Sequence, residues 1–234
     1  MTAPGGRIVF DEPGDVWLFA YGSLMWDPGF DYVEVRTAQL RGYHRAFCVH
    51  SEVYRGTPER PGLSLGLDRG GSCCGLAFRI AEPNRDATAA YLEKRELIED
   101  IYSWRRVRLT SVDGRFDACT FIVNRGHAIY APKQPIDDVA RIIAAASGGS
   151  GTNTAYLANT VAHLDELGIA DGTLHELLRR VEHIGDITPC SLCPSGRRGL
   201  GRGGGLADER RDVLIDPLCM HRAFCESVVD RILG

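Results

Sequence analysis

Three short stretches carry side chains able to do chemistry on a small molecule: Tyr21-Gly22-Ser23-Leu24-Met25-Trp26, Arg55-Gly56-Thr57-Pro58-Glu59-Arg60-Pro61-Gly62 and Tyr91-Leu92-Glu93-Lys94-Arg95-Glu96. In the first, an apolar run ends at Gly-Ser. Glycine has no Cβ, so the backbone there can approach a ligand closely. Free N–H groups at such a turn form a concavity suited to an anion, and a carboxylate is a natural guest. An ordinary strand exit has the same composition. The second stretch holds two prolines and two glycines and reads as a stiff loop carrying polar side chains near strand ends, or equally as a solvated connector. The third offers Glu96, a carboxylate that can take or give a proton. Glu and Arg on a helix also form solvated faces with i,i+4 pairing.

The elements that must position these groups follow from patterning. Val16–Tyr21 is a continuous apolar and aromatic run and predicts a buried strand closing into the Gly22-Ser23 turn. A second strand is predicted within residues 37–50, followed by a loop over 51–62. Leu63–Leu67 and Ser72–Ile80 flank Asp68-Arg69-Gly70-Gly71, which predicts a hairpin. From Pro83-Asn84 the period changes to a helix capped by Asn84, with Ala87, Ala90, Tyr91 and Lys94 on one side. Trp104–Ser111 and Phe116–Val123 around Asp113-Gly114-Arg115 predict another hairpin. Three apolar stripes then predict helices: Ile136, Val139, Ile142, Ile143 and Ala146; Tyr156, Leu157, Thr160, Val161, Leu164 and Leu167; Leu174, Leu177, Leu178 and Val181. Gly168 and Gly185 fit helix ends. Strands first, one helix among them and helices last make an α+β fold. Hairpins without edge protection point to a closed or nearly closed barrel.

Composition narrows the partners. The chain has 234 residues, 27 basic and 31 acidic side chains and a net charge of −4. That balance argues against a nucleic-acid or anionic-membrane surface. No apolar run reaches the ~18–20 residues that span a bilayer, and residues 1–15 lack the pattern of a signal peptide, so a cytoplasmic location is expected. Residues 1–15 are expected to be loosely ordered and 16–185 to form the main domain, with a Gly- and Arg-rich tail over 186–234 that has a short terminal helix from Pro217 onward. Of the eight cysteines, Cys48, Cys73, Cys74 and Cys119 lie in strand-like segments and read as small core residues.

Taken together, the three stretches resemble the ChaC-like γ-glutamylcyclotransferases. Tyr-Gly-Ser-Leu-x-Trp, Arg-Gly-Thr-Pro-Glu-x-Pro-Gly and Tyr-Leu-x-x-Arg-Glu stand in the family's order, and the likeness continues through Asp68–Gly71, Gly75–Arg79, Tyr156-Leu157 and His163–Ile169 over roughly residues 16–182. The resemblance implies the γ-glutamylcyclotransferase fold, a small mixed barrel with helices packed around it. It implies cleavage of glutathione to 5-oxoproline and Cys-Gly without metal or cofactor. It implies Glu96 as the catalytic acid/base, and a substrate-binding set of Tyr21, Gly22, Ser23, Leu24, Arg55, Gly56, Thr57 and Tyr102. Relatives suggest a monomer or homodimer. The pattern is broken at Leu97–Tyr102, where many relatives have Lys-Gly-Gly-Tyr after the Arg-Glu pair, and at Leu63, where many have Arg. Both departures bear on recognition of the Cys-Gly half of the substrate more than on the chemistry.

That chemistry needs little from an enzyme. The α-amine of a γ-glutamyl amide can attack its own γ-carbonyl and close a five-membered ring. The protein must fold the substrate, remove a proton from the ammonium and return one to the leaving nitrogen. Other readings stand beside it. Cys190-x-x-Cys193 with Cys219, His221 and Cys225 is a candidate zinc site, although the second group lacks a clean ligand spacing. A serine hydrolase built on Ser23 would need Gly-x-Ser-x-Gly, and Met25 follows Leu24 here. A non-catalytic γ-glutamyl or amino-acid binding module, or a cyclotransferase for other γ-glutamyl amines, would share the pocket.

Overall fold

The computed structural model describes residues 8–10, 13–97 and 100–187, with backbone only at 186 and 187. The candidate zinc residues, the tail from residue 188 onward and the terminal helix expected within it lie outside the described residues. Strand β1 (Val16–Ala20) is followed by a single 3₁₀ turn at Ser23–Met25, then β2 (Glu34–Ser51) and β3 (Gly62–Ile80). Helix α1 (Arg85–Glu96) precedes β4 (Tyr102–Ser111) and β5 (Gly114–Val123). The described residues end with α2 (Ile136–Ala145), a small hairpin β6 (Ser147–Gly148) and β7 (Gly151–Thr152), α3 (Asn153–Glu166) and α4 (Gly172–Ile187).

The five long strands close into a barrel in the order β1-β3-β2-β4-β5. β1 pairs antiparallel with β3 from Val16↔Ile80 to Ala20↔Leu76, and the parallel contact Leu18↔Cys119 with β5 shuts the ring. Closure removes the edge strands that a set of open hairpins would leave. It also explains why β1 reads as a continuous apolar run, since Leu18, Phe19 and Ala20 are all fully buried on both faces. One face of the strands, with Leu18, Leu63, Leu76 and Phe78, packs on Leu92, Ile143, Leu157, Leu164 and Leu177 of the helices. The other, with Phe19, Leu40, Leu67, Ala77 and Leu109, forms a second core among the strands.

The hairpin expected at Asp68–Gly71 is absent. β3 runs straight through these residues for 19 positions, paired with β2. Gly70 and Gly71 take φ of +102° and +68°, and Gly42 opposite takes +87°, so the positive φ values serve a bulge that bends the two long strands together. Glycine reaches such angles at no steric cost, and a turn and a bulge demand the same residue. The hairpin expected around Asp113-Gly114 is present, joining β4 to β5 with Ser111↔Gly114 as its last pair.

Other local expectations need correction. Asn84 makes no capping bond, because the 3₁₀ turn Glu82–Asn84 runs directly into α1 and leaves Asn84 with helical φ and ψ of −95° and −1°. The buried face of α1 is Thr88, Ala89 and Leu92, while Ala87, Ala90 and Lys94 are exposed. Gly185 lies inside α4 rather than at its end, whereas Gly168 (φ +66°) does follow α3. Cys48 and Cys73 are buried, but Cys74 is exposed and Cys119 half-buried. In the N-terminal segment, Ile8 is buried with its N–H 2.6 Å from Glu93 Oε1, and Phe10 meets Trp104 edge-on. Among the described residues no helix is long and apolar enough to cross a membrane.

Candidate active site

At the end of β1 the chain bends sharply. Gly22 sits at φ −134° and ψ −140°, its carbonyl accepts from Met25 N (2.8 Å), and the Ser23 carbonyl accepts from Trp26 N (3.2 Å) and Asp27 N (2.8 Å). Leu24 and Met25 are buried and plug the bend into the core. As the opening residues of the turn, Ser23 and Leu24 have N–H groups with no carbonyl one turn earlier to bond.

An arginine clamps this bend from the protein side. The Arg45 side chain is 1% exposed; its Nε donates to the Tyr21 carbonyl, Nη2 to the Cys74 carbonyl (2.7 Å) and Nη1 to Asp171 Oδ2 (2.7 Å). Asp171 also accepts from Leu174 N at 3.2 Å, capping α4. A buried guanidinium is tolerated only when its donors are matched by acceptors and a counter-charge. Here those acceptors fix the strand exit, although nothing in the alternation of β2 distinguishes Arg45 from a solvated residue.

Glu96 closes α1, and its side chain is 19% exposed. Burial raises its proton affinity above the ordinary carboxylate value, and the neighbouring Arg95, through charge and hydrogen bond, partly offsets that. Arg95 spreads over four partners: Nε lies 3.1 Å from Glu96 Oε1, Nη2 donates to Ser23 Oγ (3.0 Å), and Nη1 donates to Tyr91 Oη (2.7 Å) and the Asp27 carbonyl (2.8 Å). The helix end and the β1 turn are thereby locked to one another. Ser23 Oγ faces a guanidinium rather than an imidazole base, which removes the hydrolase arrangement.

A cavity of about 670 Å³ opens between these groups, within the ~300–1,000 Å³ range of small-molecule sites. Tyr21, Gly22, Ser23 and Leu24 line it on one side, with Glu96 at the helix end. Arg55 and Tyr102 complete the part of the lining read from the sequence, Tyr102 donating its hydroxyl to the Leu65 carbonyl at 2.7 Å. Gly56 and Thr57 are not in the wall. A Cβ on Gly56 would come within 2.1 Å of Gly62 N and 2.6 Å of the Ser51 and Arg60 carbonyls, so this glycine lets the loop fold on itself. Thr57 is exposed, and its hydroxyl accepts from Arg60 N at 3.3 Å.

The lining also contains residues that the sequence did not single out. Tyr156, part of an apolar stripe and of the Tyr156-Leu157 pair in the family likeness but given no site role there, is a wall residue whose phenol is pushed up to about 12, first by burial, with Glu96 adding to the rise and the Leu65 backbone and Arg55 opposing it. The Tyr21 phenol is raised well above its ordinary value, again by burial first and then by Tyr102 and Glu96. Both phenols share the electrostatic surroundings of Glu96. Ser150 enters the lining from the β6–β7 hairpin, a segment whose composition carries no functional signal. Among the described residues, no group of three or more His, Cys, Asp or Glu side chains could hold a metal ion.

Residues 16–184 match the family model described as ChaC-like protein. The chain belongs to the ChaC-like family. Among its ChaC-like relatives is the glutathione-specific gamma-glutamylcyclotransferase of Escherichia coli strain K12, 39% identical over 174 residues and covering 74% of this chain and 75% of the relative. Gamma-glutamylcyclotransferase 2-3 of Arabidopsis thaliana is 33% identical, with 72% and 89% covered. The barrel with its helices superposes on the crystal structure of a yeast gamma-glutamylcyclotransferase specific to glutathione with a TM-score of 0.66 at 20% identity, over 73% of this chain and 97% of that one. The ChaC-like chain shares that fold.

Proposed function

We propose that the protein is a glutathione-cleaving γ-glutamylcyclotransferase, with Glu96 as the single group that moves the proton. The observation that carries this reading is Glu96 itself: a recessed carboxyl of raised proton affinity in the wall of the same cavity as the Gly22–Ser23 bend. The names of its relatives support the substrate.

The γ-glutamyl α-carboxylate lies against the Gly22–Ser23 bend, and the cavity folds the chain so that the α-nitrogen meets the γ-carbonyl carbon. Prepaying that arrangement is worth up to ~7–11 kcal/mol in well-oriented cases. Glu96 takes a proton from the α-ammonium, and the freed lone pair forms the new N–C bond. The carbonyl electrons return, the old amide C–N bond breaks, and the same proton passes from Glu96 to the leaving nitrogen. The ring nitrogen, which still carries a second proton when the N–C bond forms, gives it up through Glu96 to the departing amine, so the products are 5-oxoproline and Cys-Gly as its ammonium. No water is consumed and Glu96 ends ionised as it began. Its raised proton affinity brings it nearer the nitrogens it must serve, as acid–base catalysis requires. In this reading the enzyme works in the cytoplasm, where glutathione is held reduced, as a monomer or homodimer, on a small molecule and without nucleic acid.

Reaction in H₂¹⁸O tests the cyclisation. Equal amounts of 5-oxoproline and Cys-Gly, with no ¹⁸O in the ring carbonyl, are expected. Free glutamate carrying ¹⁸O would mean hydrolysis and would overturn the proposal. Tight binding of glutathione with no product would favour a binding module.

A further inference from the structure

Three cationic side chains border the cavity, and their partners differ. Arg95 is committed to Glu96 and, at 3.7 Å, to Asp27. Lys94 is exposed on α1 at the rim. Arg55 is half-buried, and no carboxylate of the described residues lies within ion-pairing distance of it; its guanidinium stacks on Tyr156 with Cζ 4.7 Å from the ring centroid, and Nη1 donates to the Ser150 carbonyl. A guanidinium carries five N–H donors in a planar fork matched to a carboxylate. Most of that fork is therefore unspent beside the cavity.

Arg55 is also held in place before any ligand arrives. Its N–H donates to Ser51 Oγ at 3.0 Å. The β6–β7 hairpin docks on its loop through Gly149 N to the Val53 carbonyl (2.8 Å) and Ser150 N to the Tyr54 carbonyl (2.9 Å). Gly148 is the residue that allows this docking, because a Cβ there would meet Gly56 N at 2.6 Å. The side chain is thus stacked, hydrogen-bonded and anchored at its root, so little rotamer freedom remains to be lost on binding.

Glutathione carries two carboxylates. The one beside the reacting amine belongs with the bend and Glu96, which come from β1 and α1. Arg55 belongs to the loop between β2 and β3 and faces Tyr156 and Ser150 instead. We infer that Arg55 is the specificity-determining residue for the substrate's distal carboxylate, that of the glycine in the leaving Cys-Gly, and so selects the tripeptide over shorter or capped γ-glutamyl amides. The inference rests on the cyclotransferase reading and names which end of the substrate this side chain holds.

The test compares kcat/KM for glutathione, for glutathione with its glycine carboxylate converted to an amide, and for γ-glutamylcysteine, using the full chain and its Arg55→Met and Arg55→Lys variants. The wild type should favour glutathione over both others by roughly 10- to 100-fold, the range expected for a charge-assisted, partly desolvated pair. In Arg55→Met that ratio should fall toward one, carried mainly by a higher KM for glutathione, and Arg55→Lys should keep part of it. A second measurement needs no variant: Cys-Gly should inhibit the wild type more strongly than its C-terminal amide. Equal turnover of glutathione and its amide by the wild type, or an unchanged ratio in Arg55→Met, would overturn the assignment and leave the cyclotransferase reading standing. No 5-oxoproline from any of the three substrates would overturn both.

Discussion

Arg95 Nη2 lies 3.0 Å from Ser23 Oγ, a bond that spans 72 residues of sequence and ties the last turn of α1 to the bend after β1. The same guanidinium touches Glu96, so one side chain fixes both the group that moves the proton and the backbone that meets the substrate.

Removing Arg95 therefore has a signed consequence. Its charge and hydrogen bond lower the Glu96 pKa against the larger effect of burial. In Arg95→Gln that opposition is gone and Glu96 protonates at still higher pH. The acidic limb of kcat/KM, which falls where the free carboxylate is lost, should move to higher pH than in the wild type. A pH–rate profile of 5-oxoproline release measures it. A limb that stayed in place or moved to lower pH would show that Glu96 is not the titrating base.

The same burial predicts a stability effect. Glu96 holds its proton more tightly folded than unfolded. As pH rises from the ordinary carboxylate value through the raised folded value, the unfolded chain releases this proton first, so stability declines across that window. Glu96→Gln removes the titration. The variant's Tm relative to wild type should therefore rise between pH 4 and pH 7, read by thermal unfolding. A relative Tm that fell over that interval would contradict the burial of the ionisable group.

Asp171 supplies the counter-charge to the buried Arg45, and Arg45 holds the Tyr21 carbonyl. Asp171→Ala leaves a guanidinium buried without its partner and uncaps α4. Breaking a buried pair in this way costs on the order of 3 kcal/mol. Urea unfolding should show that loss, and KM for glutathione should rise as the bend loosens. A loss below about 1 kcal/mol would mean that water reaches the Arg45 site.

The parts of this molecule that were legible in its sequence are those whose signal is local. The apolar run Val16–Ala20, the tight turn at Asp113-Gly114 and the stripes of α2, α3 and α4 each state their structure within a dozen residues. Gly70-Gly71 does not, because a turn and a bulge both need positive φ; only Gly42 on the partner strand decides between them. Arg45 is a buried charge in a strand that alternates, and its role depends on Tyr21, Cys74 and Asp171, far off in sequence. In the site, Glu96 and the Tyr21–Leu24 bend were legible because they sit in compact motifs. Ser150 was not, and Tyr156 only as a matched pair with no role attached, because each reaches the cavity only through the packing of the helical region on the barrel.

The central claim is that the Glu96 carboxylate carries the proton during cyclisation, and the direct measurement is 5-oxoproline release from glutathione by the wild type and by Glu96→Gln, with folding of both verified by circular dichroism. The account predicts steady release by the wild type and a kcat lower by about 10²–10⁴-fold in the folded variant. A folded Glu96→Gln protein that released 5-oxoproline at the wild-type rate would contradict it.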